Sequence, residues 1–213
     1  MSLRIGITQR VEVAASYAER RDCLDQQWTV LVQQLGLTPV PVPNSVDNAA
    51  SWLDAMALDG YILSGGNDLS CLPSPTCPAP ERDRTEQAIL DHAYDMSLPV
   101  LGVCRGLQMM NVYLGGSLHL VEGHVATRHA VTATSDDARF TDYTVANSFH
   151  DWGVTLEGLA EPLQSCLTAP DGTIEACKHR QRDWIGIMWH PERETPFTQT
   201  DIRLIDWLFR GNL

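Results

Sequence analysis

The sequence predicts an α/β protein with a mostly parallel central sheet, helices on both of its faces and a strand-rich second half. Two observations carry this. Short runs rich in apolar and β-branched residues alternate with helical patterns from Leu3 to Leu114, and beyond Gly115 the rhythm shifts to strand-like segments separated by turns. Strands that alternate with helices imply right-handed crossovers, which gather functional groups at the carboxyl ends of the strands.

The elements follow in order. Leu3 to Thr8 (LRIGIT) reads as a strand, and a helical pattern runs from about Arg21 to Leu35, stopped by Gly36. Thr38 to Val42 reads as a strand, Ala49 to Ala57 as a helix, and Gly60 to Leu63 as a strand ending in Ser64-Gly65-Gly66. After the proline-rich loop CLPSPTCPAP come a helix from about Glu81 to Met96, a strand from Pro99 to Val103 and a helix from Arg105 to Leu114. The segments HAVTAT, FTDYTV, TIEACKH and DWIGIMW read as β-structure, and a last helix covers Asp201 to Phe209.

The 213 residues, 44% of them hydrophobic, suffice for one catalytic domain spanning 1–213 with a sizeable core. Neither a signal-peptide core near the amino terminus nor a run of about 20 apolar residues is present, so a soluble cytoplasmic protein is expected. The formal net charge of −12 opposes association with nucleic acid or an anionic membrane. A small anionic substrate would need a local cluster of arginines, for which Arg10, Arg20, Arg21, Arg82 and Arg84 are candidates. The six cysteines form no CxxC pair and no closed zinc pattern with histidine, so reactivity is their expected use.

The segment Gly102-Val-Cys104-Arg-Gly106-Leu-Gln108 follows an apolar strand and opens a helix. A nucleophile in such a strand–turn–helix sits on a strained turn, and the flanking glycines relieve clashes there. Free amides and the dipole at a helix amino end favour the thiolate of a cysteine so placed. By itself Cys104 reads equally as one more buried cysteine. A second segment, Ile185-Gly-Ile-Met-Trp-His190-Pro-Glu192, changes that: another apolar strand ends in a histidine with a carboxylate two positions on. A histidine taking a proton from a thiol needs its other ring nitrogen held by an acceptor, and Glu192 is spaced to be that group. A third strand ends in Ser64-Gly65-Gly66-Asn67-Asp68, where paired glycines let backbone amides approach a ligand. The amides of Gly66 and Arg105 together would form an oxyanion hole.

These three segments, LSGGNDLS, GVCRGLQ and MWHPE, resemble the class I glutamine amidotransferase superfamily, and within it the free-standing γ-glutamyl hydrolase branch. The resemblance covers most of the chain, including Gly6 to Arg10, Arg82-Asp83 with Glu86, His124 to His129, and Asn147-Ser148-Phe149-His150. It implies a flavodoxin-like three-layer core in which Cys104 attacks a γ-carbonyl, His190 shuttles the proton and Glu192 orients it. Gly66 and Arg105 amides would stabilise the oxyanion, while Gly65, Gln108, Asn147, Ser148 and His150 would line the site for the glutamyl head. A thioester intermediate, resolved by water, would release glutamate and an amine. No metal or organic cofactor is implied. Tyr17, Arg20-Arg21 and the ending Met188 to Pro196 are more similar to members that release a cytidine diphosphate amidate, in phosphoramidate decoration of bacterial surface polysaccharide. That would set Arg10 at the cleft mouth as a phosphate ligand. A γ-glutamyl-γ-aminobutyrate substrate, or a role as the glutaminase subunit of a synthase, stays open, as does a homo-oligomer. A binding protein that has lost the chemistry is the third alternative.

His124 and His129 suggest a metal pair, but their spacing on a strand-rich segment with no third ligand nearby favours a polar-contact role. Trp28, Trp52 and Trp207 read as packing residues, and Trp152 and Trp189 as residues nearer the site.

Overall fold

The computed structural model describes residues 2–211. Along the chain the strands and helices are β1 (Arg4–Thr8), β2 (Arg10–Ala14), β3 (Glu19–Cys23), α1 (Gln26–Gln34), β4 (Thr38–Val42), α2 (Ala49–Met56), β5 (Gly60–Leu63), α3 (Pro80–Met96), β6 (Val100–Val103) and α4 (Arg105–Tyr113). They continue as β7 (His119–Leu120), β8 (Thr127–Ala130), β9 (Thr132–Ala133), β10 (Val145–Ser148), β11 (Trp152–Gly153), β12 (Leu163–Thr168), β13 (Ile174–His179), β14 (Trp184–Ile187) and α5 (Gln199–Arg210).

One eight-stranded sheet has the order β4-β1-β5-β6-β14-β13-β12-β9. The pairs β4/β1, β1/β5, β5/β6 and β6/β14 are parallel, and β14/β13, β13/β12 and β12/β9 are antiparallel. Counting only the parallel strands in chain order, the arrangement is 2-1-3-4-5, the flavodoxin-like order. The carboxyl ends of β1, β5, β6 and β14 therefore share one edge of the sheet.

Alternation along each central strand fills two cores. Ile5, Ile7, Ile62, Leu101, Val103, Ile185 and Ile187 face α1 and α5 through Trp28, Leu31, Leu204 and Leu208. Tyr61, Leu63, Val100 and Trp184 face α2, α3 and α4 through Leu53, Ile89, Leu90, Leu107 and Met110. A strand buried on both faces reads as a continuous apolar run, which is why these strands were legible.

Three expectations need correction. The helix expected from about Arg21 begins at Gln26, where Asp25 accepts from the Gln27 amide at 2.9 Å. The residues before it form the antiparallel hairpin β2/β3, whose valines at 11 and 13 alternate with charge. FTDYTV is mostly turn, and the strand starts only at Val145 because Phe140 and Tyr143 pack inward as a buried corner. The third concerns β12, an interior strand of the sheet that the sequence reading did not single out.

Candidate active site

Cys104 lies between β6 and α4 with φ 52° and ψ −105°, a conformation that costs a non-glycine residue on the order of 1–3 kcal/mol. The surroundings hold it there. The Cys104 amide donates to the Ile187 carbonyl at 2.7 Å, and the Gln108 amide donates to the Cys104 carbonyl at 3.1 Å. The flanking glycines serve helix–strand approach: a Cβ on Gly102 would stand 2.7 Å from the Gly106 backbone, and one on Gly106 would collide with the Leu63 carbonyl. The elbow therefore needs glycine at both positions.

His190 follows β14, only 2% exposed, and shares a hydrogen bond of 2.7 Å between Nδ1 and Glu192 Oε1. Pro191 to Arg193 form one 3₁₀ turn, which folds the carboxylate back onto the ring. His190 Nε2 has no hydrogen-bond partner among the described residues, and Cys104 acts on the imidazole as a nearby charge. Burial lowers its pKa, but the nearby Cys104 sulfur and the Glu192 carboxylate outweigh that, and the net value rises from 6.5 to about 9. The ring lies over Gly65, where a Cβ would come within 2.5 Å of His190 Cε1. Sulfur, imidazole and carboxylate thus meet at the ends of β6 and β14, against the turn after β5.

Asn147 grips the histidine from the far side. Its Nδ2 donates to the His190 carbonyl at 2.9 Å and to Glu194 Oε1 at 2.6 Å, and its Oδ1 accepts from the His190 amide at 2.8 Å. The Phe149 ring meets the imidazole edge-on at 5.7 Å, with the Arg193 guanidinium over its other face at 4.2 Å. Ser148 is buried, with Oγ donating to the His124 carbonyl at 2.6 Å. Gln108 Nε2 donates to the Trp152 carbonyl at 2.7 Å. His150 is buried, with Nδ1 at 3.1 Å from the Trp152 carbonyl and Nε2 turned toward Glu175.

A buried ionic group underlies the two turns that supply Gly66 and Arg105. Glu86 accepts from Thr8 Oγ1 at 2.8 Å and from Arg82 Nε at 2.9 Å, and its other oxygen pairs with Arg105. Arg82 donates to the carbonyls of Ser64 at 2.6 Å, Gly65 at 3.0 Å and Gly66 at 2.5 Å. Arg105 also pairs with Asp83. Burial would raise the Glu86 carboxyl, but Arg105 and Arg82 hold it below the ordinary value. Arg82, Glu86 and Arg105 are all at most 1% exposed. This corrects the sequence reading of Arg82, which treated it as a phosphate ligand or a solvated surface charge: it enters α3 directly beneath the Ser64–Gly66 turn and has its donors engaged. Among the described residues, neither the Gly66 nor the Arg105 amide donates to another protein group.

Arg10 lies beside Gly66 and lines a cleft with Ser64, Gly65, His190 and Glu192. It also lines an adjoining outer groove with Arg20, Asn67 and Thr76. Arg20 pairs with Glu81, and Arg21 with Glu19 and Tyr17. Trp28 packs in the core as expected, whereas Trp52 is half-buried; Trp189 is buried and donates to Asp201 at 2.9 Å. The expectation of no third ligand nearby is also corrected: His150, two residues past β10, and Glu175 from β13 group with His124, while His129 lies 3.5 Å from Glu175 Oε1 outside that group, all brought together by tertiary folding. Glu175 was legible only as a carboxylate inside an apolar strand.

An α/β sheet with a cysteine elbow and a strand-end histidine paired to a carboxylate defines a class of hydrolases acting on amide bonds. The chain belongs to the peptidase C26 family, whose model matches residues 4–192. It is 36% identical over 206 residues to the gamma-glutamyl-CDP-amidate hydrolase of Campylobacter jejuni, covering 95% of this chain and 96% of that one. It is 31% identical to protein NtpR of Enterococcus hirae, covering 83% and 84%. The fold matches a crystallised glutamine amidotransferase of Thermotoga maritima with a TM-score of 0.67 over 95% of this chain and 82% of that one, at 14% identity.

Proposed function

We propose that the protein hydrolyses a γ-glutamyl amide through a cysteine thioester, with a γ-glutamyl nucleotide amidate as substrate. The observation that carries the chemistry is the 2.7 Å contact of His190 Nδ1 with Glu192, which leaves Nε2 without a protein partner on a ring that feels the Cys104 charge. The Cys104 thiolate attacks the γ-carbonyl, and the resulting oxyanion accepts from the Gly66 and Arg105 amides. The His190 imidazolium gives its proton to the leaving nitrogen, so the C–N bond breaks and a γ-glutamyl thioester remains. His190, now neutral, takes a proton from water as the water oxygen attacks the thioester; the C–S bond breaks, glutamate leaves and the thiolate–imidazolium pair is restored. Glu192 stabilises the imidazolium and holds Nδ1–H throughout. Asn147 fixes the backbone from which the ring projects.

The Campylobacter relative supports the nucleotide amidate as leaving group, and so does Arg10, which sits where the inner cleft opens into the outer groove. Guanidinium recognises phosphate bidentately, and in a chain of net charge −12 a phosphate needs such a local group. The place of such a reaction is phosphoramidate modification of a surface polysaccharide.

The test is glutamate release from a panel of glutamine, γ-glutamyl-γ-aminobutyrate and γ-glutamyl-CDP-amidate. The nucleotide amidate is expected to give the highest kcat/KM, and Cys104→Ala to abolish turnover. Activity surviving that substitution overturns the mechanism. Preference for aminobutyrate overturns only the substrate, and activity on glutamine that rises with an added synthase favours a glutaminase subunit.

A further inference from the structure

His124, His129, His150 and Glu175 converge behind the segment that carries Asn147. His124, His150 and Glu175 are 5%, 2% and 0% exposed in their side chains, and His129 is 14% exposed. Each imidazole has one nitrogen occupied. His124 Nε2 is 3.0 Å from Asp171 Oδ2, His129 Nδ1 is 3.3 Å from the Ala130 carbonyl and His150 Nδ1 is 3.1 Å from the Trp152 carbonyl. The remaining nitrogens, His124 Nδ1, His129 Nε2 and His150 Nε2, face Glu175, and neither they nor the two Glu175 oxygens have a hydrogen-bond partner among the described residues.

The spacing accounts for those orphans. Glu175 Oε1 stands 3.3 Å from His124 Nδ1, 3.5 Å from His129 Nε2 and 3.6 Å from His150 Nε2. These are long or misaligned for hydrogen bonds. For His124, His150 and Glu175, whose ligand atoms all lie within 4.8 Å of one another, they are close to the roughly 3.3–3.5 Å that separates neighbouring ligands about a tetrahedral ion with bonds of 2.0–2.1 Å. Five buried polar atoms without partners would destabilise the fold if nothing joined them. Among the described residues no lysine or arginine stands at ion-pair distance from the buried Glu175 carboxylate, so its charge lacks a permanent cation. The outward nitrogens held by a carboxylate and backbone carbonyls are the arrangement that fixes a metal-binding tautomer.

We propose that His124, His150 and Glu175 bind a divalent transition-metal ion, zinc by donor set, with His129 beside the Glu175 carboxylate but outside the ligand group. Two imidazoles and a carboxylate suit zinc, with water at the fourth position. The ion would join the loop before β8, the segment just after β10 and the sheet strand β13. That fastens the β8/β10 hairpin, and with it Asn147, to the sheet that bears His190. The inference does not depend on the hydrolase reading.

The test uses Cys104→Ser protein, so that the elbow thiolate cannot compete for metal. After stripping with chelator, zinc alone is titrated calorimetrically and cobalt is added to read its visible spectrum. One equivalent of zinc per chain, the intense bands of four-coordinate cobalt and a higher Tm with zinc are expected. Glu175→Gln should abolish stoichiometric uptake. Should that variant fail to fold, Asp171→Asn, at a side chain 46% exposed, should weaken binding about 10–100-fold while leaving the stripped protein folded. Absence of stoichiometric uptake by the stripped protein, or uptake of undiminished affinity in both variants, overturns the proposal.

Discussion

Glu192 makes its contact through Oε1 alone, from a position only 4% exposed, so a neutral replacement keeps the shape and removes the charge. Glu192→Gln is expected to reduce kcat by roughly 10²–10⁴-fold with the fold intact, because an amide holds the wrong imidazole tautomer and cannot stabilise the cation. The pH profile should move as well. The folded imidazole has its pKa raised to about 9, so the proton needed by the leaving nitrogen is present through neutrality and lost above it. Hydrolysis should decline above about pH 9, and in Glu192→Gln the decline should begin at lower pH. The linked stability has the same sign: the raised pKa stabilises the fold fully below the ordinary 6.5, and that contribution disappears as pH rises through about 9. At this scale Cys104, His190 and Glu192 were legible because each sits at a strand end with a local signature. Asn147 was legible only by resemblance, as its side chain serves the backbone of a residue 43 positions away. The burial of Arg82 was not legible, since a polar helix start looks solvated until the turn above it is in place.

The elbow and the Ser64–Gly66 turn are separate elements, and the Arg82–Glu86–Arg105 group is what fixes one relative to the other. Removing the central anion leaves the buried Arg82 guanidinium without a counter-ion and Arg105 with Asp83 alone. Glu86→Ala should therefore lose about 3–5 kcal/mol of stability, measured by urea unfolding, and reduce kcat in whatever folds. In the parent, the Glu86 carboxyl is held low, so its contribution is present above the ordinary carboxylate range near pH 4.5 and lost as pH falls through the depressed value. Acid unfolding should begin at higher pH when either arginine is replaced. Elements buried on both faces were read well because apolar runs bounded by glycine have few alternatives. The β2/β3 hairpin was misread because its charged, exposed strand ERRDC carries none of that signal and depends on pairing with RVEVA.

Across the whole molecule, the charge of −12 sets the long-range field while Arg10 sets the local one. Arg10 is partly engaged by Glu12 at 3.1 Å and remains about half exposed, free to turn toward a ligand. Arg10→Ala is expected to raise KM for the nucleotide amidate on the order of tenfold while leaving glutamine turnover near its parent value, as loss of a charge-assisted contact requires. Equal losses on both substrates would assign Arg10 to the turn it touches. The parallel topology could be anticipated from strand–helix alternation, but the antiparallel extension β13-β12-β9 could not, because pairing order among short strands is decided by contacts remote in sequence. That extension has an evolutionary consequence. Cys104, His190 and Glu192 all stand on the parallel half, so insertions and exchanges along the outermost strand edge can accumulate without reaching them. The outermost edge, β9, can diversify while the strands inward of it stay constant.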